Sequence, residues 1–170
     1  PVGEYRFTRL SILESASRSG VLVARARSGN LYKVVDGGLV PGKMVYTDRP
    51  YVFRKIPKGF EGAMIIQTAN NDASSRGPRF LEIDTVIPVT VWLGHDTRVD
   101  KSPRWMPLKG PNAFGRTGWR VETSDARFRL FERRFPAGRI VVGGNTDDGL
   151  DGNKSNFLVI VPVSYTHLTL

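Results

Sequence analysis

Apolar side chains recur along this chain with the two-residue period of strands, and no ten-residue segment keeps a helical period. Residues 85–105 set the pattern. Val89, Val91 and Leu93 fall on one face of a strand and Thr90 and Trp92 on the other, because successive strand side chains point to opposite sides. That strand runs into a polar loop carrying His95, Asp96, Arg98 and Lys101, which closes on Pro103-Arg104-Trp105. In residues 80–84, Leu81 and Ile83 oppose Glu82 and Asp84. In residues 126–133, Ala126, Phe128 and Leu130 point one way and Arg127, Arg129, Phe131 and Arg133 the other. Residues 63–68 and 156–163 are apolar on both faces and read as buried strands. Weaker strand patterns cover 5–13, 21–27, 31–35, 44–47, 51–56, 119–122 and 138–144. Turn signals such as Pro41-Gly42 and Pro57-Lys58-Gly59 recur every eight to twelve residues. About ten to twelve short strands without helices predict an all-β fold, an antiparallel β-sandwich of jelly-roll type. Residues 101–118, with three Pro and three Gly, are expected to form a long ordered loop.

Composition narrows the function classes. A length of 170 residues suits one domain, expected to span 1–163. Residues 164–170, SYTHLTL, break the pattern and resemble translated sequencing-adapter tails, which leaves His95 as the histidine available for chemistry. The chain opens on Pro1, as expected of a piece excised from a longer protein. No apolar run reaches membrane-spanning length, so no membrane partner is expected. Zero Cys excludes disulfides, thiolate metal sites and a cysteine nucleophile. The net charge is +9, and residues 96–139 carry eleven basic against five acidic side chains. Such a density just after the central strand favours a polyanionic partner. No motif such as the aromatic pair of an RNA-binding sheet accompanies it, which sets nucleic acid aside. One usable His, no Cys and no paired carboxylates argue against an enzyme.

An ordered set of motifs adds a family likeness. Tyr46-Thr-Asp48-Arg49-Pro-Tyr51-Val-Phe53 is followed by Ile65-Ile-Gln-Thr68-Ala69-Asn70-Asn71-Asp72, then by Val89-Thr-Val91-Trp92 and His95-Asp96-Thr-Arg98. Pro103-Arg-Trp105, Ala137-Gly138 and Gly143-Gly144-Asn145 complete the series. Over residues 39–162 the set resembles accessory β-sandwich modules of secreted bacterial polysaccharide lyases, pectate-lyase-like and ulvan-lyase-like proteins among them. The resemblance implies a galactose-binding-like or jelly-roll fold, extracellular and attached to the catalytic domain of the same parent chain.

The candidate site residues follow from this chemistry. Trp92, Trp105 and Trp119 offer flat apolar faces for a pyranose ring, with an N–H donor at the rim; the plain alternative is packing. Arg98, Lys101, Arg104, Arg127 and Arg129, with His95 beside them and Phe131 interleaved, suit carboxylate or sulfate recognition; the plain alternative is a solvated strand face. Asp96 and Arg98 are also expected to pair, with each other or with Asp48 and Arg49, and so pin loops. Asp147, Asp148 and Asp151 lie in an acidic Gly-rich turn with oxygen ligands suited to a structural calcium, although the turn lacks the bidentate Glu of an EF-hand loop. No other cofactor is expected. Asn70, Asn71 and Asp72 read as turn caps. Together these readings describe a non-catalytic carbohydrate-binding module that targets an attached secreted enzyme to an acidic polysaccharide. The alternative is a structural or adhesion sandwich that binds no glycan.

Overall fold

A computed structural model describes residues 20–147 and 154–162. The expected strand over 5–13 and the terminal residues from 163 onward lie outside the described residues. The expected all-β antiparallel jelly-roll sandwich is what forms, and the helical content among the described residues is one 3-10 turn at Asn70–Asp72. A three-stranded sheet runs β1 (Val21–Ala26), β5 (Leu81–Thr85), β9 (Gly138–Val142). The seven-stranded sheet runs β2 (Lys33–Val35), β4 (Met64–Gln67), β10 (Leu158–Val161), β6 (Val89–Asp96), β8 (Arg127–Phe135), β7 (Gly115–Thr123), β3 (Phe53–Lys55). Every ladder is antiparallel.

Two apolar cores sit on opposite faces of the large sheet. The first lies between the sheets, where Leu81, Ile83, Ile140 and Val142 meet Val91, Leu93, Val159 and Val161. In the second, Ile65, Trp92, Phe128, Leu130, Leu158 and Ile160 are covered by Leu39, Val45, Tyr46 and Phe53. Those four come from residues 36–63, which leave one edge of the large sheet after β2 and supply β3 at the other edge. Each fully buried aliphatic or aromatic side chain contributes about 1.5–3 kcal/mol, so both layers matter to stability. The second core also explains why β10 is apolar on both faces.

Two local expectations are corrected. The strand expected over 44–47 is reduced to isolated bridges, Met44 to Val52 and Tyr46 to Thr68, because the chain turns back at Asp48-Arg49-Pro50. The loop expected over 101–118 ends early. β7 already begins at Gly115, where Gly115 and Arg116 pair with Glu132 and Phe131 before a bulge resets the register at Arg120. Gly118 sits in that bulge at a φ of 76°, a conformation costly for other residues. The remaining loop folds inward: Met106 and Phe114 join the first core, with Phe114 6.1 Å from the Phe135 ring.

Polar side chains tie the loops at one end of the sandwich. Asn156 is fully buried; its Nδ2 donates to the Ala69 carbonyl at 2.8 Å and to the Tyr32 hydroxyl at 3.1 Å, and its backbone carbonyl accepts from the Tyr46 hydroxyl at 2.7 Å. The Asp48 carboxylate accepts from the Asn70 and Asn71 amides at 2.7 and 2.9 Å. Asn145 Nδ2 donates to the Ala73 carbonyl at 2.9 Å. At Gly144 the two loops touch so closely that a Cβ would run into the backbone of Ser75 and Arg76. Gly144→Ala is therefore expected to cost about 1–3 kcal/mol in urea unfolding, whereas Gly29→Ala, with nothing near its Cβ but a φ of 78°, reports the strain of a positive φ alone.

Candidate functional site

The aromatic candidates separate by depth. Trp92 points from β6 into the second core and is 8% exposed. Its ring meets Phe60 edge-on at 4.6 Å, and its Nε1 is buried with no hydrogen-bond partner among the described residues. Phe60 in turn lies 5.9 Å from Trp119, which is 47% exposed. The three rings thus form a ladder from core to solvent with Trp119 at its outer end. Phe131 is 5% exposed and meets the buried His95 ring edge-on at 6.1 Å between the sheets. Trp105 is half-buried: its Nε1 donates to the Gly144 carbonyl at 2.7 Å, and its ring packs over Gly143 and meets Phe114 at 5.8 Å.

These positions correct the sugar-platform expectation. Trp92, His95 and Phe131 are sealed inside and touch no external ring. The face of β6 that carries Trp92 is covered because residues 36–63 cross it. Trp105 is held in place as a strut between two loops. Trp119 keeps an open face.

Burial holds His95 neutral, pushing its pKa down from 6.5 to about 4 against the opposing pull of Asp96. Asp96 points to the other face. Burial alone would raise its carboxyl, but hydrogen bonds from the Arg98 side chain and from the Arg98 and Ser155 amides outweigh that and hold it below the usual carboxylate range. Arg98 Nη2 approaches Asp96 Oδ2 at 2.6 Å, so the His95-Asp96-x-Arg98 run pins a loop. Ser155, which also takes Arg98 Nη2, donates its hydroxyl to Asp125.

The cations fall into two groups. Arg98 and Arg127 border a shallow depression of about 370 Å³, together with Thr97, Asp125 and Glu122. Arg127 pairs there with Glu122 at 3.3 Å, and Arg129 Nη2 donates to the Thr97 carbonyl at 3.3 Å. Lys101 and Arg104 are exposed on the loop before Trp105. The Arg104 amide donates to the Asp147 carboxylate, which gives that expected calcium ligand a structural partner. Asp148 and Asp151 lie outside the described residues, and among the described residues no three acidic or histidine side chains cluster as metal ligands.

Phe60, Arg116 and Arg120 were not singled out in the sequence. Phe60 lies between turn glycines, where no strand period marks it. Arg116 and Arg120 flank Gly118-Trp119, and a cation–Gly–Trp–cation run beside an unpaired strand end is the signal that marks them in retrospect.

No protein family and no curated protein matches the chain. Solved structures similar to it include two enzymes. One is a β-glucuronidase from glycoside hydrolase family 2, 19% identical with a TM-score of 0.66, covering 82% of this chain and 14% of that one. The other is a glycoside hydrolase family 138 enzyme targeting the pectin rhamnogalacturonan II, 14% identical with a TM-score of 0.55, covering 92% of this chain and 19% of that one. The chain thus spans less than a fifth of the length of either enzyme. At these identities the likeness shows the fold alone: a β-sandwich similar to one that occurs within each of these two enzymes.

Proposed function

We propose that the chain is a non-catalytic accessory module of a secreted carbohydrate-active enzyme, and that it holds its parent on an acidic polysaccharide. The observation that carries this reading is the open face of Trp119 in a strand segment that also exposes Arg116 and Arg120, which have no acidic partner among the described residues. β3 pairs with β7 only near Glu122 and Thr123, so, among the described residues, 115–120 form a free edge of the large sheet. A polymer crossing that edge meets an indole on which a sugar ring can stack and guanidinium groups that match its carboxylates or sulfates. Single contacts of this kind are weak, and repetition along the glycan and tethering to a catalytic domain would supply the avidity. The fold likeness to domains of two glycoside hydrolases supports a carbohydrate-active parent.

A second reading has its own support. Val86 and Ile87 expose apolar surface at the β5–β6 turn, as a module packing on a neighbouring domain would. Affinity electrophoresis separates the two. In gels containing a uronate or sulfated glycan the domain should be retarded, in neutral glycan it should run freely, and Trp119→Ala should abolish the retardation while costing only about 1 kcal/mol of stability through its lost contact with Phe60. Free migration in every acidic gel would leave the packing module.

A further inference from the structure

Within the proposed glycan edge, one pair of residues is out of keeping with the rest of the sheet. Arg120 of β7 lies directly opposite Arg129 of β8, and opposed residues in an antiparallel pair share a face with Cβ atoms about 4.5–5.5 Å apart. Like charges so placed repel. One row along, the same two strands solve the problem in the usual way: Glu122 lies opposite Arg127 and pairs with it at 3.3 Å, and Lys55 of β3 reaches the same carboxylate at 3.9 Å. Glu122 is therefore already shared by two cations and unavailable to Arg120. Arg129 is tethered by a carbonyl, Thr97, rather than by an acid. In the next row Arg116, also exposed and without an acidic partner among the described residues, faces Phe131.

A lone charge on a free strand edge discourages edge-to-edge pairing. That role accounts for Arg120 but not for a second guanidinium opposite it on β8. Two guanidinium forks on one face, one held in place and one free, instead match an oxyanion that accepts from both. We infer that Arg120 and Arg129 form the anion subsite of this module, receiving one carboxylate or sulfate group of the glycan, with Arg116 beside it. The inference rests on the reading of the module as a glycan binder, but the subsite is testable without any glycan. A bound anion would relieve the repulsion between the two arginines, so the empty site is under electrostatic stress and the filled one is not.

The test is thermal unfolding of wild type, Arg120→Gln and the control Arg134→Gln, each in sodium sulfate and in sodium chloride at equal ionic strength. Sulfate stabilises folded proteins generally, so the quantity read is the difference between variants. Wild type and Arg134→Gln should show a saturable extra rise in melting temperature in sulfate, and Arg120→Gln should lose it while melting above wild type in chloride. Equal sulfate responses in all three proteins would overturn the subsite. Gel retardation by polygalacturonate and by dextran sulfate then identifies which group the site takes: Arg120→Gln should weaken binding about tenfold or more to the preferred polymer. Undiminished binding of Arg120→Gln to both polymers would also overturn the subsite, yet leave the glycan-binding function standing. A sulfate response lost in Arg120→Gln, with no retardation of wild type by either polymer, would uphold the subsite and remove the glycan.

Discussion

Trp92→Ala should destabilise the domain by about 3–5 kcal/mol, the cost of emptying a large aromatic site in a packed core. In a domain of this size that corresponds to a fall in melting temperature on the order of 10 °C. The size of the effect follows from position: the ring is 8% exposed and carries Phe60 on its edge at 4.6 Å, so its loss also loosens residues 56–62 above it. Trp92→Phe should cost much less, because the indole Nε1 makes no hydrogen bond among the described residues and nothing is left unpaired when it goes. Urea unfolding of the two variants decides the matter. A loss below about 1 kcal/mol for Trp92→Ala would mean that solvent, or a ligand, reaches the ring.

Acid should unfold the domain in two stages, the first set by His95. The unfolded chain takes up a proton at His95 near 6.5, whereas the folded chain resists until about 4. Below pH 6.5 the unfolded state therefore binds more protons, and stability falls as pH drops from 6.5 toward 4. At about 1.4 kcal/mol per pH unit the loss amounts to roughly 3 kcal/mol. Asp96 acts in the same direction but lower: its depressed carboxyl stabilises the fold above 3.8, and that contribution disappears as pH falls further. The two windows separate the residues. Denaturant midpoints measured between pH 7 and pH 4 should decline in the wild type and stay nearly flat in His95→Leu. A flat wild-type profile would place His95 in contact with water.

Much of this fold was legible in residue order, and the reason is period. Val89, Val91 and Leu93 alternate with Thr90 and Trp92, and residues 158–161 are apolar throughout, so strand type and the double burial of β10 follow without coordinates. Period reports which side a side chain points to, not what lies there. The alternation places Trp92 on the face opposite Val91, but its cover comes from residues 36–63, a tertiary contact that no local pattern encodes. The same holds for Phe131, whose arginine neighbours in sequence imply solvent while its ring belongs to the first core and meets the buried His95. Register was likewise out of reach. The bulge between Arg116 and Arg120 decides that Arg120 meets Arg129 rather than an acid; the charge density of residues 96–139 announces cations without saying which ones face each other.

The open aromatic edge, with arginines that have no acidic partner among the described residues, is the feature on which the functional account stands. Glycan-array binding by the isolated domain, at about 50 mM and about 500 mM salt, tests it most directly, since the Debye length shrinks about threefold between them. Signal confined to uronate-bearing or sulfated glycans, strong at low salt, weak at high salt and absent in Trp119→Ala, is the predicted result. Binding to neutral glycans with equal strength at both salt levels, or to no glycan at low salt, would contradict it.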